Sequence, residues 1–451
     1  MPLRDTLSHL SGLWSDRRGS IAVVLAISLV PILLGVGLSI DIGRAYIVKQ
    51  QLLRASDAAA LAVASSIGNG EDSDTVAQNF FNANYPTSKL GTPGEPSVTV
   101  TDEEVTVATS ATLETTFMKI AGLDEITVSA TSIVSRETTG LELVMVLDNT
   151  GSMASSSKLT TMQSAADALI DTLFDGAATS DTIKVGLVPF AGGVNVGNSD
   201  AAFTAAYVGD TTADDWGTTS WEGCVMARAD PYDQTDDDVA TGGTWEPFYW
   251  ADHSYNDWYS SWWGYSIDAT PPSSYGPNKY CPLAITPLTN VAATLTSEIA
   301  SMWASGYTHV NLGAVWGWRV ISPDPPFEEG AAYTSSDWNK AVIILTDGVN
   351  TTSNYVYTAY EYRSDGVLGS TSSSGTTDEL NDRLSTICTN MKAEGIEVFT
   401  ITFQLSDSDT QTIFENCASE SDNYFDSPSN DDLTAAFQVI GAKLKRLHLS
   451  Q

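Results

Sequence analysis

A chain of 451 residues with 21 lysines and arginines against 56 aspartates and glutamates carries a formal net charge of -35. That balance excludes a basic face for nucleic acid or anionic lipid, and the length exceeds what a single core organises, so two or three domains are expected. Cations and water are the natural company of such a surface, and a saline habitat accounts for it as well as a binding task, because screening relieves repulsion among carboxylates.

Residues 20–40, SIAVVLAISLVPILLGVGLSI, hold no charge, and about 20 apolar residues are what a helix needs to cross a bilayer. The run is longer than a signal-peptide h-region and has no A-x-A site straight after it, so a retained anchor is expected rather than a cleaved leader. Arg4, Arg17 and Arg18 before it are balanced by Arg44, Lys49 and Arg54 after it, and charge does not orient the span. Helix-favouring residues continue to about residue 66, with Ile42, Ala45, Ile47, Leu52 and Leu53 mostly on one side. A second helix is predicted over 74–85, stopped by Pro86, and alternation in SVTVTDEEVTVATSATLETTF and EITVSATSIVS predicts strands. A helix half in the membrane and half in solvent, leading into a small sheet, has the outline of a pilin-like subunit.

From residue 138 the rhythm changes. The apolar runs LELVMVLD, TIKVGLVPF, KAVIILTDG and GIEVFTITF read as strands buried on both faces, as in a parallel sheet covered by helices. Helical segments lie near 157–174, 289–304, 310–321, 378–394, 408–419 and 430–447, the last with an acidic first turn and a basic last turn. The prediction is a doubly wound α/β domain with a mostly parallel sheet, whose ligand site lies at the carboxyl ends of its strands. An insertion at about 200–285 breaks the rhythm and gathers Trp216, Trp221, Trp245, Trp250, Trp258, Trp262 and Trp263. These either pack a loop-rich lobe or form a contact surface for a partner or glycan. Asp236-Asp237-Asp238 lacks the spacing of a calcium loop and reads as a solvated acidic turn.

The four cysteines, Cys224, Cys281, Cys388 and Cys417, all follow the span, with no CxxC and no histidine cluster. Disulfides between sequence neighbours, Cys224 with Cys281 and Cys388 with Cys417, are the favoured pairing; buried free thiols are the alternative. Disulfides place the region beyond the span in an oxidising compartment.

Asp148, Thr150 and Ser152 follow the first α/β strand at its carboxyl edge, with Gly151 permitting a tight turn, and Asp347 ends a second buried strand in the same way. Carboxylates and hydroxyls offer hard oxygens, which suit Mg2+, or Mn2+ or Ca2+ in its place, rather than zinc or copper. Taken alone, such a stretch is a common turn. With the strand before it and the TDG after another, it resembles the metal-ion-dependent adhesion site (MIDAS) of von Willebrand factor A domains, whose first motif is D-x-[ST]-x-S. The resemblance implies a Rossmann-like fold and a metal held by Asp148, Thr150, Ser152, Thr308 and Asp347. It further implies that Thr150 or Ser152 touches the metal directly and that the aspartates act largely through water. Thr308 is the position least secured by spacing, because the insertion precedes it. The histidines His9, His253, His309 and His448 are scattered, and no catalytic base or nucleophile is placed beside the site, so no enzyme activity is expected.

The amino-terminal region is similar to the anchor of TadG-like proteins of the Tad, or tight adherence, pilus system. The marks are Arg18-Gly19, the apolar run, Asp41 with Arg44, Asp57-Ala58-Ala59-Ala60-Leu61-Ala62, FMKIAGLDEITVSATS and WGWRVISPDPPF. Processed pilin-like relatives carry Glu five residues after the cleavage-site glycine, where this chain has Val24, so cleavage is not expected. The resemblance implies a cytoplasmic segment 1–19, a transmembrane helix 20–42, a TadE/TadG-like helix and strand region 43–137 and an A domain 138–449. The expected role is assembly or anchoring of a pilus at the inner membrane, with an acidic residue of another pilus-assembly or pilin-like protein bound through the metal. A surface adhesin that contacts host, matrix or glycan directly is the alternative.

Overall fold

The computed structural model describes residues 20–66, 72–86, 88–101, 104–135, 139–211, 219–258 and 275–449. The segment 1–19, read as cytoplasmic, lies outside the described residues, as do Trp216, Trp262 and Trp263. The chain divides into two compact units, one ending at Glu137 and the other beginning at Thr138.

In the first unit a single helix, α1 (Ser20–Ser66), carries the apolar run and continues beyond it. One window of it is long and apolar enough to cross a membrane, and only 6% of that window is buried within the protein. Pro31 sits inside this helix, as membrane helices tolerate. Helix α2 (Ser73–Asn84) starts where the Asp72 carboxylate accepts the Thr75 N–H at 2.9 Å. The strands β1 (Thr92–Pro93), β2 (Ser97–Val100), β3 (Glu104–Glu114) and β4 (Glu125–Ser135) form an antiparallel sheet in which β3 and β4 pair from Glu104↔Ser135 to Glu114↔Glu125. Val105, Val107, Ala111 and Leu113 of β3 face inward and meet Val48, Leu52, Ala55, Ala59 and Val63 of α1 in one core. The alanines let helix and sheet approach closely, and inside that contact Ser56 and Thr109 share a hydrogen bond of 2.7 Å.

The second unit opens on β5 (Gly140–Asp148), buried at every position because helices cover both faces of the sheet. There follow α3 (Lys158–Phe174), β6 (Ile183–Phe190), the short β7 (Val194–Asn195), α4 (Ala201–Tyr207), β8 (Cys224–Val225), α5 (Val239–Gly242) and β9 (Thr286–Thr289). The chain closes with α6 (Ala292–Ser301), α7 (Val310–Ile321), β10 (Trp338–Thr346), α8 (Ser373–Ala393), β11 (Glu397–Phe403), α9 (Ser408–Cys417), β12 (Tyr424–Ser427) and α10 (Asn430–Leu449). The sheet runs β12-β11-β10-β5-β6, parallel throughout, with β9 antiparallel on β6 at one edge. This is the doubly wound α/β order expected from the sequence, and the strand order reverses between β5 and β10. One face packs on α3, α6 and α10 through Met162, Leu169, Leu295, Ile299, Leu433 and Phe437. The other packs on α7, α8 and α9 through Val315, Leu384, Ile387 and Phe414.

Helix α7 lies against β5 because two glycines remove the intervening side chains: a Cβ at Gly313 would stand 2.6 Å from Phe190 Cδ1, and one at Gly317 would overlap Val146 Cγ2. Gly317→Ala is therefore expected to cost about 1–3 kcal/mol by overpacking, despite the better helix propensity of alanine. Thermal denaturation of the variant checks this; an unchanged or raised melting point would show that α7 has room to shift.

Both disulfides follow the neighbour pairing, Cys224–Cys281 and Cys388–Cys417, with Cα separations of 5.8 and 5.2 Å. The first closes the insertion. Its described tryptophans Trp221, Trp245, Trp250 and Trp258 are all buried, which favours the packing reading over the contact surface for these four. Trp245 lies on Trp316 at 4.9 Å between ring centroids, and the buried Arg319 guanidinium stacks on both rings. The acidic run is not the solvated turn that the sequence reading expected. Asp236 accepts hydrogen bonds from Ser322 Oγ (2.9 Å) and Tyr333 Oη (2.6 Å), Asp238 caps α5, and the Asp237 and Asp238 carbonyls accept from Arg228. The buried Arg228 needs acceptors there, as the buried Arg319 needs the Tyr232 and Thr235 carbonyls just before, and that demand is tertiary.

Candidate functional site

The apolar run of β5 ends at Asp148, and the parallel neighbour β10 ends at Thr346, one residue before Asp347. Both chain ends therefore emerge at the carboxyl edge of the sheet, on either side of the point where strand order reverses, which is where doubly wound folds leave a crevice.

Asp148 is fully buried and its carboxylate is held by the loop around it. Oδ1 accepts the Thr150 N–H at 2.7 Å, and Oδ2 accepts the Thr346 hydroxyl at 2.6 Å and the Asp347 N–H at 3.4 Å. Thr150 Oγ1 lies 3.0 Å from Ser152 Oγ, so the alternate positions of the motif do point together. The Ser152 hydroxyl in turn donates to Asp347 Oδ1 at 2.5 Å. Four of the five expected residues are thus joined in one hydrogen-bonded network, Asp148 entering it through the Thr150 and Asp347 N–H groups.

Thr308 arrives from a third loop. The Ser305 N–H donates to the Asn149 carbonyl at 2.8 Å and the Gly151 N–H to the Gly306 carbonyl at 3.1 Å, tying this loop to the first. Asn350 Oδ1 accepts the Val310 N–H at 2.8 Å, and the Thr351 N–H reaches the Thr308 carbonyl at 3.0 Å, tying it to the loop after β10. A Cβ at Gly348 would stand 3.5 Å from Thr308 Oγ1 and 3.7 Å from Ser152 Oγ, so the three loops converge on a space that glycine keeps open. Gly306 adopts φ +85° beneath Tyr280, and in this way the base of the insertion reaches the site loop.

The charge of the site is unbalanced. Burial, and then the nearby Asp347 carboxylate, push Asp148 from 3.8 up to about 6. Lys158, the first residue of α3, supplies one positive charge, its Nζ 2.8 Å from Asp347 Oδ2 with the Asp347 side chain fully buried. Two carboxylates therefore face one ammonium. Sequence reading missed Lys158, although a signal existed: a cation at a helix N-terminus opposes the helix dipole and calls for a compensating anion. Thr346, Asn350 and Gly348 were missed as well, because their roles follow from the convergence of loops distant in sequence. His309, adjacent to Thr308, is a buried residue whose ring packs edge-on against Tyr360, and burial lowers it to about 3, so it is neutral at ordinary pH.

The donor set fits a hard divalent cation. It combines two carboxylates with three hydroxyls around a glycine-lined space, and leaves excess negative charge. No group of three or more His, Cys, Asp or Glu that could hold a metal occurs among the described residues, so the hydroxyls distinguish this cluster from a thiolate or imidazole centre.

Residues 19–66 match the family model for Tad, described as Flp pilus-assembly TadE/G-like. Comparison with curated proteins returns no match. Among solved structures, the von Willebrand factor domain of the type V pilus tip protein Mfa5 from Porphyromonas gingivalis is similar at 11% identity and TM-score 0.39, covering 70% of this chain and 97% of that one. The pilus adhesin SpaC from Lactobacillus rhamnosus GG is similar at 13% identity and TM-score 0.38 over 78% of this chain, which spans 34% of SpaC. Proximal thread matrix protein 1 from the mussel byssus, with a zinc-occupied MIDAS motif, is similar at 13% identity and TM-score 0.34, over 69% of this chain and 48% of that one. The chain thus joins a Tad-like segment within a candidate membrane helix to a disulfide-bonded, doubly wound α/β domain.

Proposed function

We propose that this chain is a membrane-anchored component of Tad/Flp pilus assembly or anchoring that binds an acidic residue of another pilus protein through a divalent cation, Mg2+ foremost. The observation that carries the reading is the convergence of Asp148, Thr150, Ser152, Thr308 and Asp347 at the switch point of the sheet. A divalent cation held by these residues supplies a positive position that a partner's carboxylate can complete. The hydroxyls of Thr150, Ser152 and Thr308 are neutral donors, so they bind without cancelling that charge. Asp148 orients the first loop through Thr150 N–H and the Thr346 hydroxyl, and no group is assigned a reaction.

The disulfides support an oxidising compartment for the α/β domain. The arrangement we infer is a single pass over 20–42 in the inner membrane, residues 1–19 in the cytoplasm, and residues 43–137 and 138–449 in the periplasm. Pull-down of pilus components from envelope extract by the full chain, with Mg2+ and with EDTA, tests the role. Capture of pilin-like proteins that is lost in EDTA and in an Asp148→Asn variant is expected; equal capture in all three would overturn it. Loss of the domain when intact cells are treated with protease would replace the periplasmic placement by surface exposure.

Proton competition gives a second check. The folded Asp148 value, about 6, lies above the ordinary 3.8, so between those limits the metal-free folded state holds a proton that the unfolded chain has released. This group's contribution to stability therefore falls as pH rises through that window, while cation binding strengthens as the proton leaves. Calorimetric titration is expected to show Mg2+ bound roughly tenfold more weakly at pH 5 than at pH 7.5, one proton being displaced; an affinity that does not vary with pH would remove Asp148 from the ligand set.

A further inference from the structure

We propose that the turn joining β3 to β4, residues 115–123, is a membrane-contacting tip that enters the headgroup boundary of the bilayer crossed by α1. The inference rests on the reading of α1 as a membrane span. The hairpin lies alongside α1 and descends toward the apolar run. Thr109 meets Ser56, and Thr116 meets Asp41. The seven positions between the two contacts, strand as far as Glu114, cover at most roughly 23 Å at about 3.3 Å each, and the fifteen helical residues cover about 22 Å at about 1.5 Å each, so the two elements keep pace.

At its lower end the hairpin is clamped. The Asp41 carboxylate accepts the backbone N–H groups of Thr116, Phe117 and Met118, at 3.1, 2.8 and 2.8 Å, and Arg44 Nη1 donates to Thr116 Oγ1 at 2.7 Å. Phe117 then reaches one turn further, to Gly37, where a Cβ would stand 2.8 Å from Phe117 Cδ1. Gly37 lies inside the uncharged run, about 6 Å past Asp41 at about 1.5 Å per residue, which matches the thickness of the interfacial layer between hydrocarbon and water.

The tip carries the chemistry for that layer. Ile120 is 76% exposed and Leu123 52% exposed, beside the exposed Lys119, whose stem can lie on lipid while its ammonium stays at the surface. Apolar side chains at a turn that is pinned to the level of a membrane span gain by entering the same lipid. The contact is apolar, and therefore compatible with the strongly acidic composition. Two points of attachment, span and tip, would fix the tilt of α1 where a lone helix is free to lean.

Single added cysteines test the placement, because the four native cysteines are all in disulfides. The full chain carrying Leu33→Cys, Ile120→Cys or Ile133→Cys is labelled with an environment-sensitive fluorophore and placed in nanodiscs of phosphatidylcholine and phosphatidylglycerol. Ile133, in β4 opposite Thr106 and away from the turn, is the solvent reference. Quenching by spin-labelled lipid is expected at 33 and 120 but not at 133, with aqueous iodide giving the opposite pattern; Leu123→Cys repeats the measurement at a second tip position. Lipid quenching at 33 with iodide quenching at both 120 and 123 overturns the tip proposal alone. Iodide quenching at 33 overturns the membrane anchor on which it rests.

Discussion

Replacing Asp148 and Ser152 together by alanine is expected to abolish the rise in melting temperature that Mg2+ or Mn2+ gives the parent chain. A cation at about one hundred times its Kd stabilises the folded state by about 2.7 kcal/mol, which corresponds to several degrees for a domain of this size. The double variant removes one hydroxyl and one carboxylate and leaves Asp347 with Lys158 as its partner, so of the five donors only the Thr150 and Thr308 hydroxyls and one already neutralised carboxylate remain, too little charge to hold a divalent cation. The buried Thr346 hydroxyl also loses the shorter of its two acceptors, keeping only the Gly348 carbonyl at 3.1 Å, and the metal-free variant should melt lower. The decisive quantity is the difference between metal and EDTA within each protein, and Asp148→Asn, which keeps the volume, guards against an unfolded variant. An equal metal-induced shift in parent and both variants would place the cation elsewhere.

Lys158→Met is expected to act in opposite directions with and without metal. Its ammonium is 2.8 Å from a carboxylate that has no exposure of its own, and removing one partner of such a pair strands the other charge, at about 3–5 kcal/mol. In EDTA the variant should therefore lose stability on that order. With saturating Mg2+ most of the loss should return, because a divalent cation can answer the charge left on Asp347, and calorimetry should show tighter Mg2+ binding by at least about tenfold. A loss of the same size in EDTA and in Mg2+ would make Lys158 a packing residue with no part in the charge of the site.

Much of this was legible beforehand. The β5 and β10 runs announced themselves because parallel strands covered on both faces are continuously apolar. Asp148, Thr150 and Ser152 were legible because a period of two aligns them at a strand end. Helix α4, and β12 with only four residues, were not anticipated, since short elements hold too few positions for a period to show. The acidic run 236–238 was misjudged because its partners, Arg228, Ser322 and Tyr333, stand far from it in sequence or draw their meaning from burial.

By itself the sequence determined the apolar run, the α/β rhythm, the cysteine pairing and four of the residues now seen bonded around one crevice, because each depends on local period, composition or spacing. Only the tertiary structure shows that the Thr308 hydroxyl lies across Gly348 from Ser152, that Lys158 already answers half of the carboxylate charge, and that Phe117 reaches Gly37 at the level of the apolar run. Those contacts join residues separated by scores of positions, and their existence follows from strand order and packing, which no local pattern encodes.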